Sequence, residues 1–371
     1  MKLFQQKSVI EKYDDVKSFV EAYNIGADDF ILATKRIYET CFAPLNLKAH
    51  VEYKSKYGSG EPTDVIIDAL LEDFRQGDYK RIIAIGGGAV IDMAKILVLD
   101  GEAKAESYYR KEVPLRKVRT LLAVPTTCGA GSEVSNVSIT EITSIHSKLG
   151  LAVDEIYADE AVLIPELLRE LPYEFFATSA IDAFIHAIES FVSPKANLYT
   201  EMFSEKAMEM IVHGFRKIIA HGKEYRMELL EDFLVASNLA GVAFGNAGTG
   251  MVHAMSYPLS GMYHVAHGEA NYQFLTAVFA AYQKMNPTGK IIRLNAFLAK
   301  MMECDEAVVY EKLQELLDQI ISRKKLREYG MKEEEIHSFA VSVDASQQRL
   351  LNQSYVKPTI EQMEAVYREL Y

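Results

Sequence analysis

The chain has 371 residues, 52 of them Asp or Glu against 40 Lys or Arg, for a formal net charge of −12. That length predicts two domains, and with 49% apolar and 25% charged residues it excludes a disordered or fibrous chain and allows a sizeable core. The acidic balance argues against a nucleic-acid partner, whose usual footprint is a basic face.

Taken in chain order, Phe30-Ile31-Leu32-Ala33 and the stretch around His50-Val51-Glu52-Tyr53 read as strands. Pro62-Thr63-Asp64 opens an amphipathic helix with Val65, Ile66, Leu70, Leu71 and Phe74 as its apolar positions. Lys80 to Ile85 is a third strand, followed by Gly86-Gly87-Gly88 and a helix from Val90 to Leu99. Arg119 to Val124 is a fourth, ending at Pro125-Thr126-Thr127. Strands alternating with helices predict βαβ units and a parallel sheet covered on both faces. Beyond Ile164-Pro165 the pattern is helical almost throughout, in Glu201–Ile219, Glu224–Phe244, Glu306–Ser322, a helix opened by Lys332-Glu333-Glu334-Glu335, and Thr359–Leu370. The expected architecture is an α/β domain over residues 1–165, of dinucleotide-binding type, and an all-α domain over 166–371.

Met1-Lys2-Leu3 runs into Phe4-Gln5-Gln6-Lys7 and not into the apolar stretch of a signal peptide. No window approaches the ~18 uninterrupted apolar residues of a spanning helix, so no membrane partner is expected. Cys41, Cys128 and Cys304 are scattered and odd in number, which points to a reducing cytoplasm and not to a disulfide framework.

Two constellations carry chemistry. A strand, Gly86-Gly87-Gly88 and a helix form the geometry that presents backbone N–H groups to a phosphate, although Ile91 stands where the G-x-G-x-x-G pattern has its last glycine. A tight turn that packs the helix on the sheet explains the same glycines. Asp92, Lys95 and a second polar loop, Pro125-Thr126-Thr127-Cys128-Gly129-Ala130-Gly131-Ser132, favour a ligand crevice. Downstream, Asp182 and His186 are four residues apart, hence on one helix face. His253 and His267 follow, with Pro258 and Gly261 between them to turn the chain. Spacing alone does not show that the four converge; if they do, three imidazoles and a carboxylate suit Fe(II) or Zn(II) better than Mg(II) or Ca(II).

Four motifs in this order resemble the iron-containing (group III) alcohol dehydrogenase family across nearly the whole chain. They are Gly86-Gly87-Gly88-Ala89-Val90-Ile91-Asp92-Met93-Ala94-Lys95, Pro125 to Val134, Asp182 to Glu189, and His253 through His267-Gly268-Glu269-Ala270-Asn271. The resemblance implies a metal site at Asp182, His186, His253 and His267, with Fe(II) ahead of Zn(II). It implies cofactor contacts at Gly86, Gly87, Gly88, Asp92, Thr126, Thr127 and Lys148. The cofactor it implies is NAD, but Thr34-Lys35 replaces the acidic residue that often ends the first strand, which removes a barrier to NADP. Tyr257 stands where many members have a further histidine, and Ala130 where a Thr is usual.

Phe244-Gly245-Asn246-Ala247-Gly248, Tyr263-His264-Val265-Ala266-His267 and Leu326-Arg327-Glu328-Tyr329-Gly330 resemble members that interconvert 4-hydroxybutyrate and succinate semialdehyde. A dehydrogenase for a neutral primary alcohol or diol is the alternative on the same scaffold. His264, then Tyr257, are the candidates to carry the hydroxyl proton. Arg349, Lys195 and His264 are candidates for the anionic end of the substrate. The expected partners are therefore a small hydroxy acid or aldehyde and, on base rates, further copies of the chain.

Overall fold

Apolar runs buried on both faces build the first unit. The computed structural model describes residues 2–145 and 147–371. In chain order its strands are β1 Val9–Lys12, β2 Asp29–Ala33, β3 His50–Tyr53, β4 Arg81–Gly86, β5 Thr120–Pro125, β6 Val137–Ile142, β7 Ser147–Ala152 and β8 Glu160–Leu163. Six of them form one parallel sheet in the order β1-β8-β5-β4-β2-β3. Successive side chains on a strand point to opposite faces. Leu32, Ile82, Ala84, Leu121 and Ala123 accordingly enter one core with the Asp64–Phe74 and Gly88–Leu97 helices. Ile31, Ile83, Ile85, Leu122 and Val124 enter the other, with Phe19 and Phe42. A strand buried on both faces is apolar along its interior, here over residues 30–33, 82–85 and 121–124, with the buried Asp29 at the start of β2 paired to Arg81. For that reason β2, β4 and β5 were legible as continuous runs.

Of the strands missed by sequence reading, β1, β6 and β7 lack that signal, and β8, buried at Ala161, Val162 and Leu163, carries it over too few residues to stand out. β1 and β8 are four residues each, and β1 is a largely exposed edge. β6 and β7 form a separate antiparallel pair in which β6 turns Ser138 and Thr140 inward as well as Ile142. Its polar–apolar alternation is therefore inverted at two of three inward positions. In the Asp64–Phe74 helix, capped by the Thr63 hydroxyl, the buried stripe is Ile67, Leu70, Leu71 and Phe74, while Val65 is 60% exposed. The true stripe follows the i, i+3, i+4, i+7 rule, and Val65 belongs to the solvent face.

The second compact unit comprises Pro172–Tyr371 together with the first residues of the chain up to Gln5. Among the described residues its regular structure is helical: Tyr173–Val192, Leu198–His221, Leu230–Ala247, Met251–Tyr263, His267–Met285, Lys290–Met302, Val309–Ile320, Ile336–Ser346, Gln348–Leu351 and Ile360–Leu370, with short 3-10 turns between. The N-terminal residues are held by Asn246, whose side chain accepts from the Gln5 amide at 2.7 Å and donates to its carbonyl at 3.0 Å. The break falls after Leu171 and not at Pro165, because Leu167 of the intervening 3-10 turn packs into the first unit's core. Glu224–Phe244 is not one helix: a 3-10 turn, Lys223–Glu228, precedes Leu230–Ala247, with non-helical Leu229 between them.

Candidate active site

Each group of candidate residues lies within one of the two units. The helix Tyr173–Val192 is long and apolar enough to cross a membrane by composition, yet it is a buried core helix. Asp182 and His186 therefore lie in an apolar surrounding, at 4% and 6% exposure. His253 comes from the first turn of the Met251–Tyr263 helix and His267 from the first residue of the next. The reversal between them is not made by Pro258 and Gly261. Pro258 sits inside the helix, and the helix stops at His264, which adopts a left-handed conformation with φ 53°. Buried Met255 and Leu259 on either side of the proline supply packing that offsets its missing N–H, whereas a left-handed residue cannot continue a right-handed helix.

Gly268 lets the His267 helix come close. A Cβ there would lie 2.7 Å from the Thr178 carbonyl oxygen and 3.3 Å from Asp182 Cβ. One donor atom from each of Asp182, His186, His253 and His267 lies within 4.8 Å of all the others. His253 Nε2 is 3.0 Å from His186 Nε2 and 3.9 Å from Asp182 Oδ1. Phe244 stacks on His186 at 4.4 Å between ring centres. Burial pushes the Asp182 carboxyl up, but His186, His267, His253 and a hydrogen bond from Asn271 outweigh it and hold it below the usual carboxylate range. The cluster gathers three imidazoles and a carboxyl group, a donor set that fits a divalent metal of the Fe(II) or Zn(II) kind.

Two polar neighbours had no role in the sequence reading. Asn271 donates to Asp182 Oδ1 at 2.7 Å, and its amide nitrogen lies 3.1 Å from His267 Nε2. Glu189 lies 2.6 Å from His253 Nδ1. The signal for Glu189 was available: positions 182, 186 and 189 share one helix face. Of the two candidates for proton transfer, Tyr257 has its ring 6.2 Å from that of His267. His264 is exposed and, among the described residues, makes no hydrogen bond or ring contact with the four donors. Lys195 and Arg349 are exposed as well.

In the first unit the order of the sheet defines where a ligand can lie. From β2 the chain moves outward to β3 and then returns to the other side of β2 as β4, so the loops after β2 and β4 diverge at a topological switch point. Thr34 follows β2, and its hydroxyl is 2.9 Å from where a Gly86 Cβ would stand. Gly87 begins the Gly88–Leu97 helix without a side-chain cap. Cβ atoms at Gly87 and Gly88 would meet Thr127 Cγ2 at 3.2 Å and Ala130 Cβ at 2.9 Å. The Thr126 amide donates to the Gly86 carbonyl at 3.0 Å. The two loops therefore lie against each other at the carboxyl ends of β4 and β5. Lys148, half-buried, stands opposite Glu141 in the β6–β7 pair. Asp92 turns inward, accepting from the Ser132 hydroxyl and from the Ile139 amide at 2.9 Å. Its carboxylate anchors the second loop and the β6 strand to the helix.

The sequence profile of iron-containing alcohol dehydrogenases matches residues 3–165, and that of the C-terminal part of the Fe-containing alcohol dehydrogenase family matches residues 176–371. The chain belongs to the iron-containing alcohol dehydrogenase family. It is 49% identical over 371 residues, the whole of both chains, to a 4-hydroxybutyrate dehydrogenase of Clostridium kluyveri. It is 30% identical over 331 residues to long-chain-alcohol dehydrogenase 1 of Geobacillus thermodenitrificans, covering 83% of this chain and 81% of that one. Among solved structures, sulfoacetaldehyde reductase from Bifidobacterium kashiwanohense in complex with NAD+ shares the fold with a TM-score of 0.85 at 22% identity, covering 99% of this chain and 98% of that one.

Proposed function

We propose that this chain interconverts 4-hydroxybutyrate and succinate semialdehyde by hydride transfer to or from a nicotinamide cofactor, with a divalent metal held by Asp182, His186, His253 and His267. The observation that carries the reading is the 49% identity, over the full length of both chains, to a protein named for that activity. The buried four-donor cluster supports the metal, with Fe(II) ahead of Zn(II). When bound, the metal supplies Lewis acidity toward the alcohol or carbonyl oxygen, and the nicotinamide accepts or delivers the hydride.

The chain's own residues do the rest. Asp182 brings a formal negative charge to a dry site where it is strongly felt. Phe244 covers one face of His186 and keeps water from it. Tyr257, beside His267, is the nearer group to take and pass the hydroxyl proton. Gly86, Gly87 and Gly88 with Thr126 and Thr127 hold the pyrophosphate of the cofactor, and Lys148 adds a cation. Thr34, in place of a carboxylate, admits NADP beside NAD. Cys41, Cys128 and Cys304 form no disulfide among the described residues, in keeping with a reducing cytoplasm.

The test follows NAD(P)H absorbance with 4-hydroxybutyrate and with butanol, before and after chelation and metal add-back. We expect 4-hydroxybutyrate to be preferred and chelation to abolish turnover reversibly. Equal efficiency on butanol would overturn the carboxylate-specific reading, and indifference to the chelator would remove the metal from it.

A further inference from the structure

Glu189 is 2% exposed and lies on the same helix face as Asp182 and His186. Each of its carboxylate oxygens meets a different donor. Oε2 is 2.6 Å from His253 Nδ1, and Oε1 accepts from the Val252 amide at 2.7 Å. The preceding amide, Met251, donates to the Tyr282 hydroxyl at 3.2 Å. Two of the orphan donors that open the His253 helix are thus met from other helices.

An ionised carboxylate accepts and does not donate, so with Glu189 ionised the proton of the short contact sits on His253 Nδ1, and in the neutral imidazole Nε2 then keeps its lone pair. That lone pair is the one facing His186 and Asp182. We propose that Glu189 is a positioning residue: it holds His253 in the Nδ1–H tautomer that presents Nε2 to the cation, and it fixes the ring by binding the adjacent backbone as well. The inference rests on the metal-site reading above.

The double duty makes glutamine a sharp probe. An amide has one accepting oxygen. If that oxygen serves His253, the NH2 group faces the Val252 N–H, donor against donor. If it serves Val252, the NH2 donates to Nδ1, the imidazole proton moves to Nε2, and it then points into the cluster where the cation belongs. Neither orientation reproduces both contacts.

The experiment titrates Co(II) into metal-free full-length protein against a chromophoric chelator. We expect Glu189→Gln to bind about 10- to 100-fold more weakly than the natural chain, and Glu189→Asp, which keeps two accepting oxygens, to recover part of the loss. In parallel, imidazole-15N spectra of the unsubstituted, metal-free protein, with His253 assigned through His253→Gln, should show Nδ1 protonated and Nε2 bare. Natural affinity in Glu189→Gln, or an Nε2–H tautomer at His253, overturns the proposal. The tautomer measurement, which needs only the unsubstituted chain and the His253→Gln assignment, decides the matter even if the Glu189 variants do not fold. Should the unsubstituted chain bind no Co(II), the metal-site reading falls, while the spectra, which need no metal, still judge the role of Glu189.

Discussion

Each unit buries a cluster of polar groups in an apolar helix environment, and the two clusters are built on opposite terms. In the first unit Lys95 is fully buried, and its ammonium donates to Ser132 Oγ at 3.1 Å, to Ser135 Oγ at 3.3 Å and to the Val137 carbonyl, with Asp92 Oδ1 at 3.5 Å. Burial pushes Lys95 down and Asp92 up, and their mutual attraction opposes both shifts. Cation, counter-charge and hydrogen-bond partners are all supplied by the chain. In the second unit Asp182, His186, His253 and His267 bring lone pairs and a carboxylate to one point, and no Lys or Arg ion pair joins them among the described residues. A closed cluster of the first kind is structural; one that gathers acceptors without a cation of its own is a place for a cation from outside.

Four experiments would break or sharpen that contrast. The largest effect is expected for Lys95→Met, which strands the Asp92 carboxylate in the core and should cost about 3–5 kcal/mol in urea unfolding. That loss should be the same with and without added metal, and Asp92→Leu in the same chain should relieve part of it. A metal-dependent loss would put the two clusters on the same footing.

For the second unit, Asp182→Ala should lower kcat with 4-hydroxybutyrate more than about 100-fold, or roughly 2.7 kcal/mol in the barrier. It should also abolish the stabilisation by metal, which for the natural chain is about 2.7 kcal/mol at a free concentration 100 times Kd. Calorimetry with and without metal reads this directly; an unchanged metal response in Asp182→Ala removes it from the ligand set.

A smaller effect is expected at Gly88. Alanine there must displace Ala130, whose Cβ would be 2.9 Å away, at about 1–3 kcal/mol of overpacking. The readout that matters is a raised KM for NAD with little change in metal affinity. If KM for the cofactor stays put, the turn is packing and not a phosphate cradle.

The smallest belongs to His264, exposed at the end of its helix. His264→Ala should change stability by less than about 0.5 kcal/mol and leave the pH–rate profile in place, whereas Tyr257→Phe should shift that profile and lower kcat. The reverse pattern would return the proton route to His264.

Much of the fold was legible because burial on two faces leaves little freedom of composition: β2, β4 and β5 are apolar through their interiors, past Asp29, Arg81 and Thr120 at their starts, and they were read correctly as continuous runs. Edge and polar-lined strands, β1, β6 and β7, answer to hydrogen bonding and to neighbours distant in the chain, and nothing local announced them; β8 is internal and apolar at Ala161, Val162 and Leu163, and its four residues are too short a run to stand out. The site divides in the same way. Asp182 and His186 share a helix face by spacing alone, and Glu189 was visible by the same rule, at i+7. His253 and His267 belong to other helices, and a close approach at Gly268, a proline tolerated inside a helix and a left-handed His264 bring them round. Residue type and spacing set the chemistry each group can offer. Whether four such groups meet within 4.8 Å, and which imidazole nitrogen keeps its lone pair, is decided by packing between segments far apart in sequence, because only that packing sets distance and hydrogen-bond direction.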